Sequence, residues 1–378
     1  MLEPLIALVG ESALSALGGL VIGALFGFFA QRSRFCLRAA TIDFWRGSLT
    51  VKVAVWMLTF GTALLLTQWA IITDIIDTSS VRYLNARGSL SGALIGGAMF
   101  GAGMVMTRGC ASRLLVLSAN GNLRALLSGL IFAVAAQASF RGVLSPARET
   151  LAELWTVSSP TGLNMLSWMG GGHVAGIFFA LVWLFGGASL AWRLGMRWPI
   201  WFSALMVGVL VMAGWAFTSQ LAGASFTPQP VHSLSFSGPS ANMLMMVLSS
   251  PELRIGFDIW LIPGVFLGSF LSAFFAGELK LEGFHDGATM RRYIAGAMLM
   301  GFGGMLAGGC AIGAGVSGAS LFATTAWLTL LAMWLSAGLT DLLLDAPKET
   351  PGFAQARSGP AAGGAAEAVP PPTTAITP

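Results

Sequence analysis

The sequence predicts an all-α, polytopic integral membrane protein of about nine transmembrane helices with further short, broken helices between them. Three observations predict it. Of its 378 residues, 55% are hydrophobic and only 10% are charged, and the mean hydropathy is +0.77; a soluble domain carries about 25% charged residues. Apolar stretches of about 20 residues, the length a helix needs to cross the hydrocarbon core, recur along the chain. The 49 glycines fit small-residue helix contacts and irregular backbone, which membrane depth tolerates only where it is buried in protein or lines a cavity. Secreted disulfide scaffolds, disordered regulators and nucleic-acid binders are thereby excluded.

Taken in order, the spans are 12–30, 51–72, 90–106, 123–140, 164–192, 199–221, 255–276 and 321–344, and 294–306 is too short to cross alone. The first nineteen residues contain Glu3 and Glu11 but no Lys or Arg. They lack the basic lead of a secretory signal and read as the approach to an uncleaved first span. One transmembrane domain over 1–345 is expected, with repeat halves of roughly 12–140 and 164–344. The Pro/Ala/Gly-rich tail, 346–378, has no apolar periodicity and reads as disordered.

The net charge of +4 does not mark an acidic macromolecular partner, because the cations are scattered between apolar runs, as the positive-inside bias of membrane loops produces. Residues 31–52 hold Arg32, Arg34, Arg38, Arg46 and Lys52 against Asp43, whereas 222–253 contains no Lys or Arg. This places the first loop in the cytoplasm, and the N-terminus and 222–253 outside.

Function is carried by an internal repeat and three cysteines. GGAMFGAGMVMTRGCAS and GAMLMGFGGMLAGGCAIG align at a constant offset of 200, matching Gly96, Gly101, Gly103, Gly109, Cys110 and Ala111 to Gly296, Gly301, Gly303, Gly309, Cys310 and Ala311. Each copy reads as a half-helix, a glycine-containing break and a second short helix. Discontinuous helices from two related halves are a recurring way to build a transport site, with the halves often inverted. Cys36, after the glycine-spaced helix ending in Gln31-Arg32-Ser33-Arg34-Phe35, stands at a similar break, but the second half has no matching cysteine.

Three cysteines cannot all pair within the chain, and a buried thiol ordinarily packs as a small hydrophobe. That all three fall at breaks favours a functional reading. A metal site is disfavoured because there is no CxxC pair and His173, His232 and His285 are dispersed; a redox dithiol is disfavoured by the same missing CxxC. No cofactor and no catalytic residue are expected. Thiols are weak hydrogen-bond donors. Several weak sites in series, helped by helix N-termini, hold a polarizable anion without trapping it.

At these residues the chain resembles the YeeE/YedE family of bacterial inner-membrane sulfur transporters. The resemblance rests on Ser33-Arg34-Phe35-Cys36, on Gly101-x-Gly103 leading to Gly109-Cys110-Ala111, and on Gly301-x-Gly303 leading to Gly308-Gly309-Cys310-Ala311-Ile312-Gly313. It covers about 12–344. It implies thiosulfate uptake through an hourglass-shaped inverted-repeat fold, Cys36, Cys110 and Cys310 relaying the anion by S–H hydrogen bonds, and a TusA-like cytoplasmic sulfur carrier as partner. Gly109 and Gly309 complete the substrate-binding set with Arg108. The Thr107-Arg108 pair departs from the glycine-rich Ala307-Gly308, so Arg108 either contacts the anion or constricts the path. Arg34, Arg38, Arg108 and Arg113 read first as interfacial anchors and, more sharply, as recruiters of a dianion. His173 reads as an interface residue. Asp258 and Asp341 lie near or within apolar stretches, Asp341 close to a hydrated helix end. Two rivals remain: transport of another sulfur or selenium compound, and a membrane thiol–disulfide protein.

Overall fold

The computed structural model describes residues 6, 9–158, 160–225, 229–248, 256–283 and 287–345; the expected tail lies outside them. The first long helix, α1 (Glu11–Ser33), is followed by α2 (Leu37–Trp45) and α3 (Val51–Ile72). A loop with the short α4 (Arg82–Asn85) and strand β1 (Gly88–Ser89) leads into α5 (Leu90–Met106), α6 (Ala111–Ala119), α7 (Leu123–Arg141) and α8 (Ser145–Glu153). Strand β2 (Thr156–Val157) pairs antiparallel with β1 through Gly88–Val157 and Ser89–Thr156. After α9 (Pro160–Leu163) and α10 (Met165–Met169) come α11 (Gly172–Arg193), α12 (Trp198–Ala224), α13 (Ser237–Leu248), α14 (Phe257–Ala276) and α15 (Gly287–Leu306). A π-helical turn (Gly313–Gly318) and α16 (Thr324–Leu344) complete the order.

Among the described residues, eight helical segments are long and apolar enough to cross a membrane. They begin at α1, α3, α5, α7, α11, α12, α14 and α16. The chain is thus a multi-pass membrane protein. The ninth long helix, α15, carries Arg291 and Arg292 near its start, but at 20 residues matches the length of α14. The outer face of α11 presents Phe178, Val182 and Phe185, all more than 60% exposed, as a lipid-facing surface must.

Three boundaries differ from expectation. The predicted span over 164–192 is interrupted, because Gly170 and Gly172 take left-handed φ values of 66° and 56° and separate α10 from α11. The segment expected over 294–306 extends back to Gly287, since two arginines near a helix start masked its apolar run. The polar segment 222–253 contains α13.

Glycine faces hold the bundle together. On α1, Gly19, Gly23 and Gly27 lie against the backbone of α14 at Phe257, Leu261 and Val265; in return Gly264 and Gly268 lie on Leu20 and Ala24. The residue numbers rise together, so these two helices run parallel. The α5–α15 pair is antiparallel: Gly96 meets Gly303 and Ala307, and Gly103 meets Gly296 and Met300. Residues matched by the offset of 200 exchange partners across this crossing. A related packing, one residue out of that register, sets Gly101 on Met333 of α16 and Gly301 on Phe132 of α7. Without hydrophobic attraction between helices in lipid, such close backbone approach supplies the van der Waals contact that associates them. An aromatic cluster of Trp56, Phe60, Trp183, Trp327 and Trp334 fixes α3, α11 and α16 to one another.

Asp341 is not hydrated at its helix end. Its side chain is 2% exposed, and its carboxylate accepts two hydrogen bonds from Arg46, at 2.8 and 2.9 Å. A carboxylate this dry needs its charge and lone pairs met by a partner. The fork of Arg46 provides both. Next to it Asp345 pairs with Arg292 at 2.6 Å, so the ends of α2, α15 and α16 are tied together by charge.

Candidate functional site

Each cysteine follows a helix stop of the same kind. Arg34, Arg108 and Gly308 have φ values of 52°, 57° and 77°, and each stands two residues before a cysteine. The left-handed residue ends the helix in the manner of an αL cap: Phe35 N–H donates to Ala30 O and Gly109 N–H to Met104 O, both at 3.1 Å. Arg108 therefore occupies the backbone role that Gly308 fills in the second copy. A non-glycine residue in this region costs about 1–2 kcal/mol, and here it brings a guanidinium to the cavity below.

Cys36 caps α2 and Cys110 caps α6. Their thiols lie near enough to influence each other, although 74 residues of sequence separate them. Cys36 is half-buried and Cys110 fully buried; the Cys110 sulfur also lies 3.4 Å from Ser112 Oγ. Cys36 opens onto a cavity of about 730 Å³ lined also by Arg32, Arg34, Arg38, Lys52, Arg108, Arg113 and Arg197, with Glu278 as the one carboxylate in its wall. Glu278 accepts from Gln31 Nε2 at 2.8 Å and from Arg34 at 3.1 Å, and Arg113 donates to Gln31 Oε1 at 3.3 Å. The cavity is strongly cationic.

Cys310 lies at the far end of the α5–α15 crossing. It is fully buried. Its sulfur accepts backbone N–H bonds from Phe236 and Gly313, both at 3.3 Å, which leaves its own S–H to donate elsewhere. Tyr83 Oη lies within reach of the Gly308 and Gly313 carbonyls, at 3.0 and 3.2 Å, and donates there. Burial pushes the Tyr83 phenol up, so it remains a neutral donor. The two matched glycines differ. A methyl on Gly309 would stand 2.7 Å from Ala314 N and 2.9 Å from Tyr83 Oη, whereas one on Gly109 meets nothing nearer than Leu114 at 3.3 Å.

The predicted residues thus divide into two groups: Cys36 and Arg108 in the wall of the cationic cavity with Gly109 and the buried Cys110 behind it, and Cys310 with Gly309 at the other end. Tyr83, Phe236, Gln31 and Glu278 were not found by sequence reasoning. Phe236 was within reach of it, since the offset of 200 applied to Cys36 lands on Phe236, which heads α13 as Cys36 heads α2. Its ring packs on Phe26 of α1 at 5.5 Å. Tyr83 carried a weaker signal, as one of two tyrosines in the chain. His173, at the start of α11, is held by a hydrogen bond: its Nδ1 bonds Gln68 Oε1 at 2.8 Å, and Gln68 donates to Ser320 O. Outside the spans, His232 Nε2 lies 2.6 Å from Asp258. Burial pulls this imidazole down, but the Asp258 charge and hydrogen bond outweigh it and the net shift is upward.

Comparison with known proteins decides what class of molecule this architecture serves. The family described as sulphur transport matches residues 32–339, a stretch that includes all three cysteines and both breaks of the repeat. The chain belongs to the sulphur transport family. It is a transporter of that family and not an enzyme. It is similar to the thiosulfate transporter TsuA of Escherichia coli (strain K12), at 25% identity over 345 residues covering 84% of this chain and 92% of that one. It is also similar to the thiosulfate transporter TsuA of Spirochaeta thermophila, at 29% identity over 331 residues covering 82% of this chain and 93% of that one.

Proposed function

We propose that this protein takes up thiosulfate across the bacterial inner membrane into the cytoplasm, with Cys36, Cys110 and Cys310 as successive S–H donors. The observation that carries the reading is the Cys36 thiol in the wall of a cationic cavity with the buried Cys110 thiol near it, and a third thiol held at the opposite end of the α5–α15 pair. Thiosulfate is a dianion with a polarizable terminal sulfur, which suits weak thiol donors. Three weak donors in series favour passage over trapping. Gly109, Gly309 and Arg108 shape the breaks that present the thiols.

The halves read as an inverted repeat, and the waist of the hourglass is the α5–α15 crossing. Support comes from the exchange of glycine partners, since an antiparallel pair whose matched residues swap contacts is related by a two-fold axis across the helices. The repeat units then fall at about 11–141 and 198–344, with α8–α11 between them. Orientation follows from charge. Arg32, Arg34, Arg38, Arg46, Lys52, Arg108, Arg113, Arg197, Lys280 and Arg292 gather at the cavity end, against Arg82, Arg87, Arg141 and Arg148 at the other. The positive-inside bias puts the cavity at the cytoplasmic exit, where a TusA-like carrier would receive sulfur.

The test is growth on thiosulfate as sole sulfur source in cells lacking other thiosulfate uptake. Each Cys→Ala and Cys→Ser variant is compared with wild type at equal membrane abundance. Loss of growth in the Ala variants supports the relay; wild-type import by all three Ala variants sinks it. The nearness of the Cys36 and Cys110 thiols also favours one second reading, a thiol–disulfide protein. That reading requires a trapped mixed disulfide with a protein thiol when one cysteine of the pair is removed.

A further inference from the structure

Arg38 and Arg113 stand in the first turns of α2 and α6, the two short helices that begin directly after Cys36 and Cys110. This is an electrostatically wrong place for a cation, because the N-terminus of a helix carries partial positive charge. Neither guanidinium has an ion-pair partner of its own: Asp341 and Asp345 act on Arg38, and Glu278 on Arg113, only at longer range, and these carboxylates are paired with Arg46, Arg292 and Arg34. Among the described residues no carboxylate forms an ion pair with either. The Arg38 Nε is buried without a hydrogen-bond partner, and Arg113 holds only the neutral Gln31 amide oxygen. Like charges crowd them further, with Arg108 acting on Arg38 and Arg34 on Arg113. Both lie close enough to act electrostatically on the Cys36 sulfur. The break at Cys310 has nothing comparable, since Ala311, Ile312 and Gly313 follow it.

We propose that Arg38 and Arg113 form a divalent-anion site at the base of the cavity, taking the oxygens of a sulfur oxyanion whose terminal sulfur rests on the Cys36 thiol. An anion seated there fills the empty donors, cancels the repulsion among the arginines and meets two helix N-termini. The thiol recognises a soft atom and the guanidinia recognise double negative charge. The site therefore selects ligands that have both. This deepens the uptake reading above and rests on it for the identity of the ligand.

The experiment measures binding of thiosulfate, sulfate and thiocyanate to the purified full-length protein. These probes are a soft-ended dianion, a hard dianion and a soft monoanion. Thiosulfate is expected to bind tightest. Arg38→Gln and Arg113→Gln are each expected to weaken thiosulfate and sulfate by about tenfold or more, the scale of one charge-assisted hydrogen bond, and thiocyanate by much less. Cys36→Ala is expected to erase the preference for thiosulfate over sulfate while leaving sulfate binding in place. Because a glutamine variant that misfolds says nothing, a second measurement uses the wild-type protein. Thiosulfate should shield Arg38 and Arg113 from an arginine-specific dicarbonyl reagent, read by peptide mass spectrometry, while Arg141 reacts unchanged. Affinities within twofold of wild type in both glutamine variants, or labelling of Arg38 and Arg113 indifferent to thiosulfate, overturns the site. If cells import thiosulfate while the arginine variants bind normally, the site fails and the uptake reading stands. If cells import none while binding depends on both arginines, the reverse holds.

Discussion

Gly103→Ala tests how the two breaks are held in register. An added methyl would lie 2.5 Å from Gly296 O and 2.8 Å from Met300 N, whereas ordinary contact begins near 3.4 Å. The helices must therefore part by about 0.9 Å, and the atoms in the way are backbone, which cannot rotate aside. Overpacking of this kind costs about 1–3 kcal/mol. The better helix propensity of alanine returns up to about 1 kcal/mol, so a net loss of about 1–2 kcal/mol is expected. Gly129→Ala in α7 is the control, because nothing lies within 4 Å of its methyl and only the propensity gain remains. The assay is the apparent melting temperature of detergent-purified protein followed by size-exclusion fluorescence, together with thiosulfate import. Gly103→Ala should melt below wild type and import poorly, since parting α5 from α15 displaces the chain ends that carry Cys110 and Cys310. Gly129→Ala should melt at or above wild type and import normally. Equal melting and import in the two variants would refute the reasoning.

Three further outcomes follow from the geometry. Cys310→Ala strands the Phe236 and Gly313 amides, at about 1–3 kcal/mol for a buried unsatisfied group; Cys310→Ser restores an acceptor and should recover thermal stability without recovering import, as melting and uptake of the two variants will show. A thiol oxidant such as diamide should cross-link Cys36 to Cys110 and leave Cys310 free, read by peptide mass spectrometry; a Cys310 cross-link would contradict the arrangement. The His232–Asp258 pair should matter more in acid. The folded-state pKa of His232 is raised, so its contribution is full below the unfolded value near 6.5 and is lost as pH rises through the folded value. Melting of His232→Gln should accordingly approach that of wild type at alkaline pH, and a gap that widens with pH would count against the pair.

The membrane class, most of the long helices and all three thiol-bearing breaks were legible in the sequence, because each rests on local information. A run of about 20 apolar residues specifies a span by its length alone, and a Gly-Cys-Ala repeated at a fixed offset identifies matched breaks without any knowledge of packing. Only the span over 164–192, the start of α15 and the presence of α13 escaped. There, short-range backbone geometry at Gly170 and Gly172, or charge near a helix start, outweighed mean hydropathy.

The sequence by itself determined that three cysteines stand at helix breaks and that a Gly-Cys-Ala element recurs at an offset of 200. It could not determine which thiols approach one another. Cys36 and Cys110 come near each other because α1 and α6 both pack on α14, the first through glycine faces that a linear reading registers only as composition. Nor could it separate anchoring arginines from the rest. Arg46 proves to be a structural cation because tertiary packing sets it against the buried Asp341, while Arg38 and Arg113 have no ion-pair partner of their own. The physical reason is the same in both cases: charge and thiol chemistry depend on what lies across a few ångströms of space, and in this chain those neighbours come from elements as much as 295 residues apart.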